Sequence, residues 1–249
     1  MAGFGLQALR GRLVRRYLDQ CGFGSGREYL AQIVASVDPG DVLLDGGCGE
    51  GNLRQQLPPA VHYVGLDRYA GEQSNEYTNW NMRPSIIGDV HHLPLASGSC
   101  RTVVLMQVLE HAREPGLVFA EIFRALKVGG HLFVTVPFLH EIHHAPHDYY
   151  RYTPYALTAL AQTAKLEVVE IRPSGGYFRA LSHLLEEAPT VVRGTSASST
   201  LVRIVVAYPL KGLGWVIRKF QYLLDLQDAT QTFTSGYDCV FRKPRDEPR

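Results

Sequence analysis

Short apolar runs alternate with polar turns and amphipathic segments along much of the chain. A continuous apolar run is typical of a strand buried on both faces of a parallel sheet. Five runs have this character and are predicted strands: Val42–Leu44, Val61–Leu66, Pro84–Gly88, Thr102–Met106 and His131–Val136. Predicted helices fall between several of them, and strands that alternate with helices indicate β-α-β units.

The predicted helices carry recognisable start and stop signals. Pro115–Val128 repeats apolar residues at helical spacing, and Gly129-Gly130 is the predicted stop. Thr153 followed by Pro154 predicts a helix start, because threonine caps helices and proline suits the first turn. Further short helices are predicted over residues 26–34 and 51–57.

The remaining chain is predicted to complete one α/β domain over residues 1–249. Leu166–Ile171 is a sixth predicted strand, and residues 232–242 regain strand character after a mostly helical insertion at about 175–230. Residues 1–37 are predicted to form cap helices. Residues 1–18, however, carry four arginines and no acid, so an organellar presequence is the alternative for that part.

Composition narrows the class of protein. A chain of 249 residues, 45% of them hydrophobic, can bury one large core. The net charge of +1 gives no global field that favours a nucleic-acid partner. The four cysteines form no CxxC pair, which fits a reducing cytoplasm. No run approaches the length of a bilayer span, so we expect no transmembrane helix.

A glycine-rich turn follows the first predicted strand. Gly47, Gly49 and Gly51 let backbone amides approach a ligand closely, and a following helix would add free N–H groups. Asn52 stands where the dinucleotide fingerprint requires its third glycine, so the spacing opposes NAD. Asp45 ends the strand, and a carboxylate there suits a cationic amine or sulfonium better than a pyrophosphate.

Two further acids end the next two predicted strands. Asp67 is placed to accept both hydroxyls of a ribose, and Asp89 to bind the exocyclic amine of adenine. Strand ends of a parallel sheet lie at one edge, so the three acids predict an adenosine site. The alternative is that they are solvated loop acids.

These residues resemble motif I and the following motifs of the class I S-adenosylmethionine (SAM)-dependent methyltransferases. The resemblance rests on Val42–Gly51, Asp67, Gly88–Pro94 and Val108–His111, and it covers roughly residues 27–172. It implies a Rossmann-like sheet of seven strands, with helices on both faces and the last strand antiparallel. Arg101 departs from the aspartate usual at its position. The implied SAM site comprises Asp45, Gly46, Gly47, Cys48, Gly49, Gly51, Asn52, Asp67, Arg68, Asp89, Val90 and Gln107.

A histidine-rich segment follows the fifth predicted strand. Methyl transfer to oxygen or nitrogen often needs a base, and histidine titrates near neutral pH. We predict His147 or His144 as this base. The residues predicted to bind the acceptor are His140, His143, Tyr149, Tyr150 and Arg151.

The histidine-rich segment also has two alternative roles. Its side chains could tie a structural loop to the sheet, or its histidines could bind a metal. Pro146 opposes the helix that their spacing would need for a metal site, so no metal is predicted. His111 is either a helix-packing residue or a part of the site. The run Pro146–Thr153 also resembles a bacterial subgroup associated with glycan and cell-envelope pathways.

Leu201–Asp228 is rich in aliphatic and aromatic residues with interspersed Arg and Lys. It is interpreted as packing over the core, as a dimer face or as a peripheral membrane contact through residues 201–228. The predicted function is methyl transfer from SAM to an oxygen or nitrogen of a small molecule, such as a sugar-containing or lipid-linked acceptor. The alternatives are a catalytically silent SAM-fold binding or scaffold protein and, more remotely, a dehydrogenase.

Overall fold

The computed structural model describes residues 26–69, 71–74, 79–192, 196–228 and 232–245. The sequence before residue 26, with most of the predicted cap and the presequence alternative, lies outside this part. The chain divides into two compact units. The sheet unit comprises Met1–Pro137, Ile142–Arg172 and Tyr237–Arg249, and the insertion unit comprises Phe138–Glu141 and Pro173–Gly236. The predicted helical insertion at about residues 175–230 falls within the insertion unit.

Seven strands form one sheet in the order β5-β2-β1-β6-β7-β9-β8. β3 (Gly71–Ser74) and β4 (Asn79–Met82) form a separate antiparallel pair that the sequence pattern does not predict. The strands of the large sheet are β1 (Val42–Gly46), β2 (His62–Asp67), β5 (Ile86–Ile87), β6 (Cys100–Met106), β7 (Leu126–Pro137), β8 (Glu167–Ser174) and β9 (Gly236–Arg242).

The sheet is parallel through its first five strands and reverses at β9. β1 pairs in parallel with β2 and β6, β2 with β5, and β6 with β7. The amide of Gly129, near the start of β7, donates to the carbonyl of Lys243 just after β9. The end of β9 therefore lies beside the start of β7, which makes β9 antiparallel. This confirms the predicted seven-stranded class I fold.

The helices of the sheet unit are α1 (Gly26–Ala35), α2 (Pro115–Ala125) and α3 (Pro154–Thr163), with 3-10 helices at Asn52–Gln56 and Leu109–His111. Apolar side chains bury them against the sheet: Tyr29 of α1 contacts Phe133 edge to face, with ring centroids 5.5 Å apart. The Tyr29 hydroxyl reaches the carbonyls of Val134 (3.0 Å) and Cys239 (2.7 Å), in β7 and β9. Thr153 caps α3 through its side chain, as predicted.

The predicted glycine stop at Gly129-Gly130 is wrong. α2 ends at Ala125, and β7 begins at the next residue, so both glycines lie inside a strand. Gly129 adopts a φ of 71° there, and the pairing of β6 with β7 shifts register between Cys100 and Thr102. The glycines allow this local irregularity, which is a role that glycine often has in strands.

The insertion unit is helical, as predicted. Its helices are α4 (Tyr177–Glu186), α5 (Ala188–Val191), α6 (Ala197–Val202) and α7 (Tyr208–Asp225), with a π-helical segment at Arg203–Ala207 joining α6 to α7. α7 approaches α4 so closely that a Cβ at Gly214 would lie 2.8 Å from the carbonyl oxygen of Ser182. Asp225, at the end of α7, accepts from the amide of Phe178 at 2.9 Å, so a carboxylate lies at the N-terminus of α4.

The continuous helical stretch Ala197–Gln221 is long and apolar enough to cross a membrane by length and composition. This test uses length and composition only, so the absence of a transmembrane helix stays a prediction. Only 11% of its most apolar window is buried. The exposed side chains include Leu201, Ile204, Val205, Trp215 and Phe220, each at least half exposed. Packing within the insertion unit therefore covers little of this surface.

Candidate functional site

The predicted glycine turn lies where β1 ends. Gly47, Gly49 and Gly51 all have positive φ, at 71°, 53° and 71°. The amides of Gly47 and Cys48 both donate to the carbonyl of Leu66, at 2.7 and 3.1 Å, so the turn is tied to the end of β2. Only glycine adopts such angles without strain, and the next residue, Asn52, begins a 3-10 helix. The result is a concave backbone surface at the carboxyl edge of the sheet.

Asp45 is buried beneath this turn, at 4% exposure. The Tyr63 hydroxyl donates to its Oδ2 at 2.7 Å. Burial raises the pKa of Asp45 to about 7; the nearby charge of Asp67 adds to this rise, and the hydrogen bond from Tyr63 opposes it. A cationic ligand beside Asp45 would favour the ionised carboxylate.

Asp67 ends β2 and faces the same turn. Its Oδ2 accepts from the amide of Gly49 at 3.0 Å. Its Oδ1 lies 3.4 Å from the amide of Tyr69. The predicted ribose-binding acid is therefore held against the glycine turn by backbone donors.

Asp89 forms a compact charged cluster with Arg68 and His91. Arg68 donates to Asp89 Oδ2 through Nη2 at 2.7 Å and Nε at 3.1 Å. The amide of His91 donates to Oδ1 at 2.9 Å, and its Nδ1 lies 2.6 Å from the same oxygen. Burial alone would raise the pKa of Asp89, but the hydrogen bonds from His91 and Arg68 lower it. The neighbouring Val90 is buried.

Gln107 follows β6 directly with a φ of 55°, rare for a residue other than glycine. Its amide donates to the carbonyl of Thr135 at 3.1 Å, and its side-chain Nε2 lies 3.3 Å from Thr135 Oγ1. β6 and β7 thus hold Gln107 at the same edge of the sheet that carries Gly46 and Asp67.

An open pocket of about 310 Å³ lies beside this edge. Its lining includes Arg68 and Asp89 from the predicted cofactor site, and His147 and Tyr149 from the histidine-rich segment. The other lining residues are His91, His92, His111, Arg113, Glu114 and Leu117. Sequence analysis considered His111 only as an alternative and did not single out His91, although both follow strand ends.

The two predicted bases lie in different surroundings within the sheet unit. His144 has a φ of 53°, and burial lowers the pKa of its imidazole, with the nearby His111 and His143 adding to the decrease. His147 is exposed, and its Nδ1 lies 2.9 Å from the Tyr149 hydroxyl. Burial thus disfavours the charged form of His144, whereas His147 lines the pocket.

The predicted acceptor-binding residues after Pro146 are held by nearby partners. Arg151 donates to both oxygens of Asp148, at 2.6 and 2.8 Å. Burial alone would raise the pKa of Asp148, but the Arg151 hydrogen bond lowers it to about 2. The Tyr150 hydroxyl donates to the carbonyl of Arg113 at 3.0 Å. Arg151 and Tyr150 thus also serve the loop itself, in line with the structural alternative.

His140 belongs to the insertion unit, whereas His143, His144 and His147 belong to the sheet unit. Its ring stacks on that of His183, with centroids 5.0 Å apart. Glu141 lies 2.8 Å from His183 Nε2, and this hydrogen bond lowers the pKa of Glu141 to about 2. The four histidines that are close in sequence therefore belong to two different clusters.

Sequence analysis missed Tyr63 and Glu110. Tyr63 lies within predicted strand two, where only pairing in register brings its hydroxyl to Asp45. Glu110 is completely buried although its side chain ends in a carboxyl group. The sequence shows Glu110 next to His111 in the segment Val108–His111, but it does not show that Glu110 is buried.

Part of the chain matches a known protein family. Residues 44–134 match a family described as a methyltransferase domain. This range contains the glycine turn, Asp67, Asp89 and Gln107, and it ends before the histidine-rich segment.

Two relatives share part of the chain. An uncharacterised 37.1 kDa protein of transposon TN4556 from Streptomyces fradiae is 33% identical over 49% of this chain and 38% of its own length. A malonyl-[acyl-carrier protein] O-methyltransferase from Legionella pneumophila is 31% identical over 37% of this chain and 35% of its own. The chain thus spans little more than a third of each relative.

A solved structure extends the similarity to almost the whole fold. The 1,6-didemethyltoxoflavin-N1-methyltransferase of Burkholderia thailandensis superposes with a TM-score of 0.53 over 98% of this chain and 91% of its own, at 15% identity. At this identity the likeness concerns the fold alone. Residues 44–134 are thus similar to a methyltransferase domain, and the fold of the chain is similar to that of this solved methyltransferase.

Proposed function

We propose that this protein is a SAM-dependent methyltransferase that acts on an oxygen or nitrogen of a small molecule. The observation that carries the proposal is the backbone cradle at Gly47–Gly51 with Asp45 and Asp67 against it. The Burkholderia thailandensis enzyme was solved with S-adenosylhomocysteine bound, which supports the same cofactor here.

The residues of the cradle fit this cofactor. Asp67 and Asp89 would hold the ribose hydroxyls and the adenine amine, and Asp45 would face the cationic methionine part. Asp89 would then share its oxygens with Arg68 and His91, which already contact it. SAM supplies a methyl group on a sulfonium, and the protein contributes alignment and exclusion of water.

Cofactor binding is tested by isothermal titration with SAM. Asp67→Ala is expected to weaken binding at least tenfold. Asp41→Ala is the matched control, because Asp41 pairs with Lys127 away from the glycine turn. Stabilisation by NAD but not by SAM would contradict the assignment.

We further propose His147 as the base that removes the acceptor proton. It lines the pocket, and its hydrogen bond with Tyr149 orients the ring. His147→Ala should lower turnover at least tenfold and leave SAM affinity unchanged, in keeping with the usual contribution of general base catalysis. His144→Ala tests the second candidate. Unchanged turnover in the His147 variant would remove it from that role.

The acceptor is proposed to be a sugar-containing or lipid-linked molecule. The support is the resemblance of Pro146–Thr153 to a bacterial subgroup associated with glycan and cell-envelope pathways. Transfer of a labelled methyl group from SAM to a panel of glycans, lipid-linked glycans and simple amines tests this proposal. SAM binding with no product from any acceptor would favour the silent binding protein.

We also propose that residues 201–228 make a peripheral contact with a membrane that carries anionic lipid. Residues 197–224 contain four cations and no acid, next to exposed apolar side chains such as Trp215 and Phe220. Apolar surface combined with cations is typical of interfacial helices. Three of the four cysteines, Cys48, Cys100 and Cys239, are free and buried, which is consistent with the proposed location in the cytoplasm.

Flotation with vesicles tests the membrane contact. The protein is expected to float with phosphatidylserine-containing vesicles more than with phosphatidylcholine vesicles. Val205→Glu/Phe220→Glu should abolish this, whereas Tyr155→Glu, at an exposed apolar site in the sheet unit, should not. Equal flotation of all three proteins, or none, would contradict the proposal.

A further inference from the structure

The carboxylate of Glu110 is buried in an unusual way. Glu110 lies in the 3-10 helix after β6, and its side chain is completely buried. Neither carboxylate oxygen has a hydrogen-bond partner within the part of the chain that the structure describes. Burial of a carboxylate without hydrogen bonds or a counter-charge is strongly unfavourable, so a positive group is expected close to Glu110.

Two imidazoles lie close to this carboxylate. His143 Nε2 lies 3.6 Å from Glu110 Oε1, and His111 Nε2 lies 3.8 Å from the same oxygen. Both distances exceed those of hydrogen bonds. Ligand atoms from the three side chains lie within 4.8 Å of one another.

The contacts of the two Nδ1 atoms indicate whether each Nε2 facing Glu110 carries a proton or a lone pair. His111 Nδ1 lies 2.7 Å from the backbone carbonyl of His147, which can only accept, so Nδ1 carries the proton. His143 Nδ1 lies 3.4 Å from Asp148 Oδ2, an oxygen of the carboxylate that also pairs with Arg151, so a proton on Nδ1 is favoured there too. In neutral rings, both Nε2 atoms then turn a lone pair toward the carboxylate.

We propose that Glu110, His111 and His143 bind a divalent transition-metal ion, with Zn²⁺ as the natural probe. The ion would neutralise the buried carboxylate and accept both Nε2 lone pairs. The separations of 3.6 and 3.8 Å approach the roughly 3.4 Å between two ligand atoms of a tetrahedral zinc. Two imidazoles and one carboxylate are a common ligand set for such ions.

The surrounding groups support the same assignment. Histidines that bind metals usually donate their other N–H to a carboxylate or a backbone carbonyl, and Asp148 and the His147 carbonyl occupy these places. His111 also lines the pocket, so solvent can reach one side of the cluster. The site does not depend on methyl transfer, and metal binding is measured without any acceptor.

A second cluster, His140, Glu141 and His183, provides the internal control. Glu141 there already accepts a hydrogen bond of 2.8 Å from His183, and its side chain is half exposed. Its carboxylate therefore already accepts a hydrogen bond, whereas the Glu110 oxygens accept none from the described residues, and this cluster is not expected to bind the ion.

Titration calorimetry of the chelator-treated full chain with Zn²⁺ is the primary test. One site is expected, with affinity reduced at least tenfold in Glu110→Gln and in His143→Ala. Asp148→Asn should weaken binding about tenfold, the usual effect of removing an outer partner. His183→Ala and His92→Ala should bind as the wild type does. Loss of the site in His183→Ala, or wild-type affinity in Glu110→Gln, would overturn the proposal.

X-ray absorption of the zinc-loaded wild type gives a test without variants. Nitrogen and oxygen scatterers at about 2.0–2.2 Å with two imidazole rings are expected. The proposal fails if the wild type binds no Zn²⁺ and NMR shows His143 or His111 doubly protonated beside Glu110. In that case a protonated imidazole, and not a metal ion, neutralises the buried carboxylate.

Discussion

Replacing Gly47 by alanine tests how the glycine turn is built. Gly47 has a φ of 71°, and a Cβ at this position would overlap the side chain of Val108. The left-handed conformation costs alanine about 1–2 kcal/mol. Crowding against Val108 adds about 1–3 kcal/mol, the usual penalty of overpacking. The free energy of unfolding should therefore fall by about 2–5 kcal/mol.

Gly40 separates the two contributions. It has a φ of 87°, but a Cβ added there would meet no atom within 4 Å, so Gly40→Ala should lose only the backbone part. In urea denaturation, a loss of about 3 kcal/mol with a slope of about 3 kcal/mol per molar lowers the midpoint by about 1 M. Gly47→Ala should shift the midpoint further than Gly40→Ala does.

Val108 supplies the decisive control. Adding Val108→Ala to Gly47→Ala removes the group that the new methyl meets, so the double variant should be more stable than the two single effects predict, by about 1–3 kcal/mol. Equal midpoints for Gly40→Ala and Gly47→Ala, or no coupling with Val108, would refute the steric explanation.

Three further predictions follow from other contacts. The pKa of Asp45 is about 7 in the folded protein and ordinary in the unfolded chain. The contribution of Asp45 to stability is therefore complete at pH below about 4 and is lost as the pH rises to 7. Over this pH range, the urea midpoint of Asp45→Asn should fall less than that of the wild type. Thr153→Ala should cost about 1 kcal/mol through loss of the α3 cap, and Thr163→Ala, at the exposed end of that helix, much less in the same denaturation assay. Tyr29→Phe removes the hydroxyl that contacts buried carbonyls of β7 and β9, so it should lower the free energy of unfolding by about 1–3 kcal/mol and lower the thermal midpoint. Tyr155 is 85% exposed, so Tyr155→Phe should leave the thermal midpoint unchanged.

The histidine-rich segment shows where local pattern stops being informative. His140 and His143 are close in sequence, yet they belong to the insertion unit and the sheet unit. Pro146 opposes the helix that a metal site formed by the segment's own histidines would need. A site with Glu110 and His111 needs no such helix, because these residues come from the turn after β6 and lie near His143 only through folding.

The same limit applies to Arg68 and Asp89. The resemblance placed both in the cofactor site as separate residues, whereas the structure joins them by two hydrogen bonds and adds His91. The direction of Tyr63 toward Asp45 likewise depends on the register of β1 against β2.

The sequence by itself determined the parallel sheet, the glycine turn and the acids at the strand ends, because apolar periodicity and the conformational freedom of glycine are local properties. Only the tertiary structure decided which side chains are buried and which charges meet. Burial and pairing arise from segments far apart in the chain. The burial of Glu110 without a hydrogen bond from the described residues, and the exposure of residues 197–221, therefore became visible only in the folded protein.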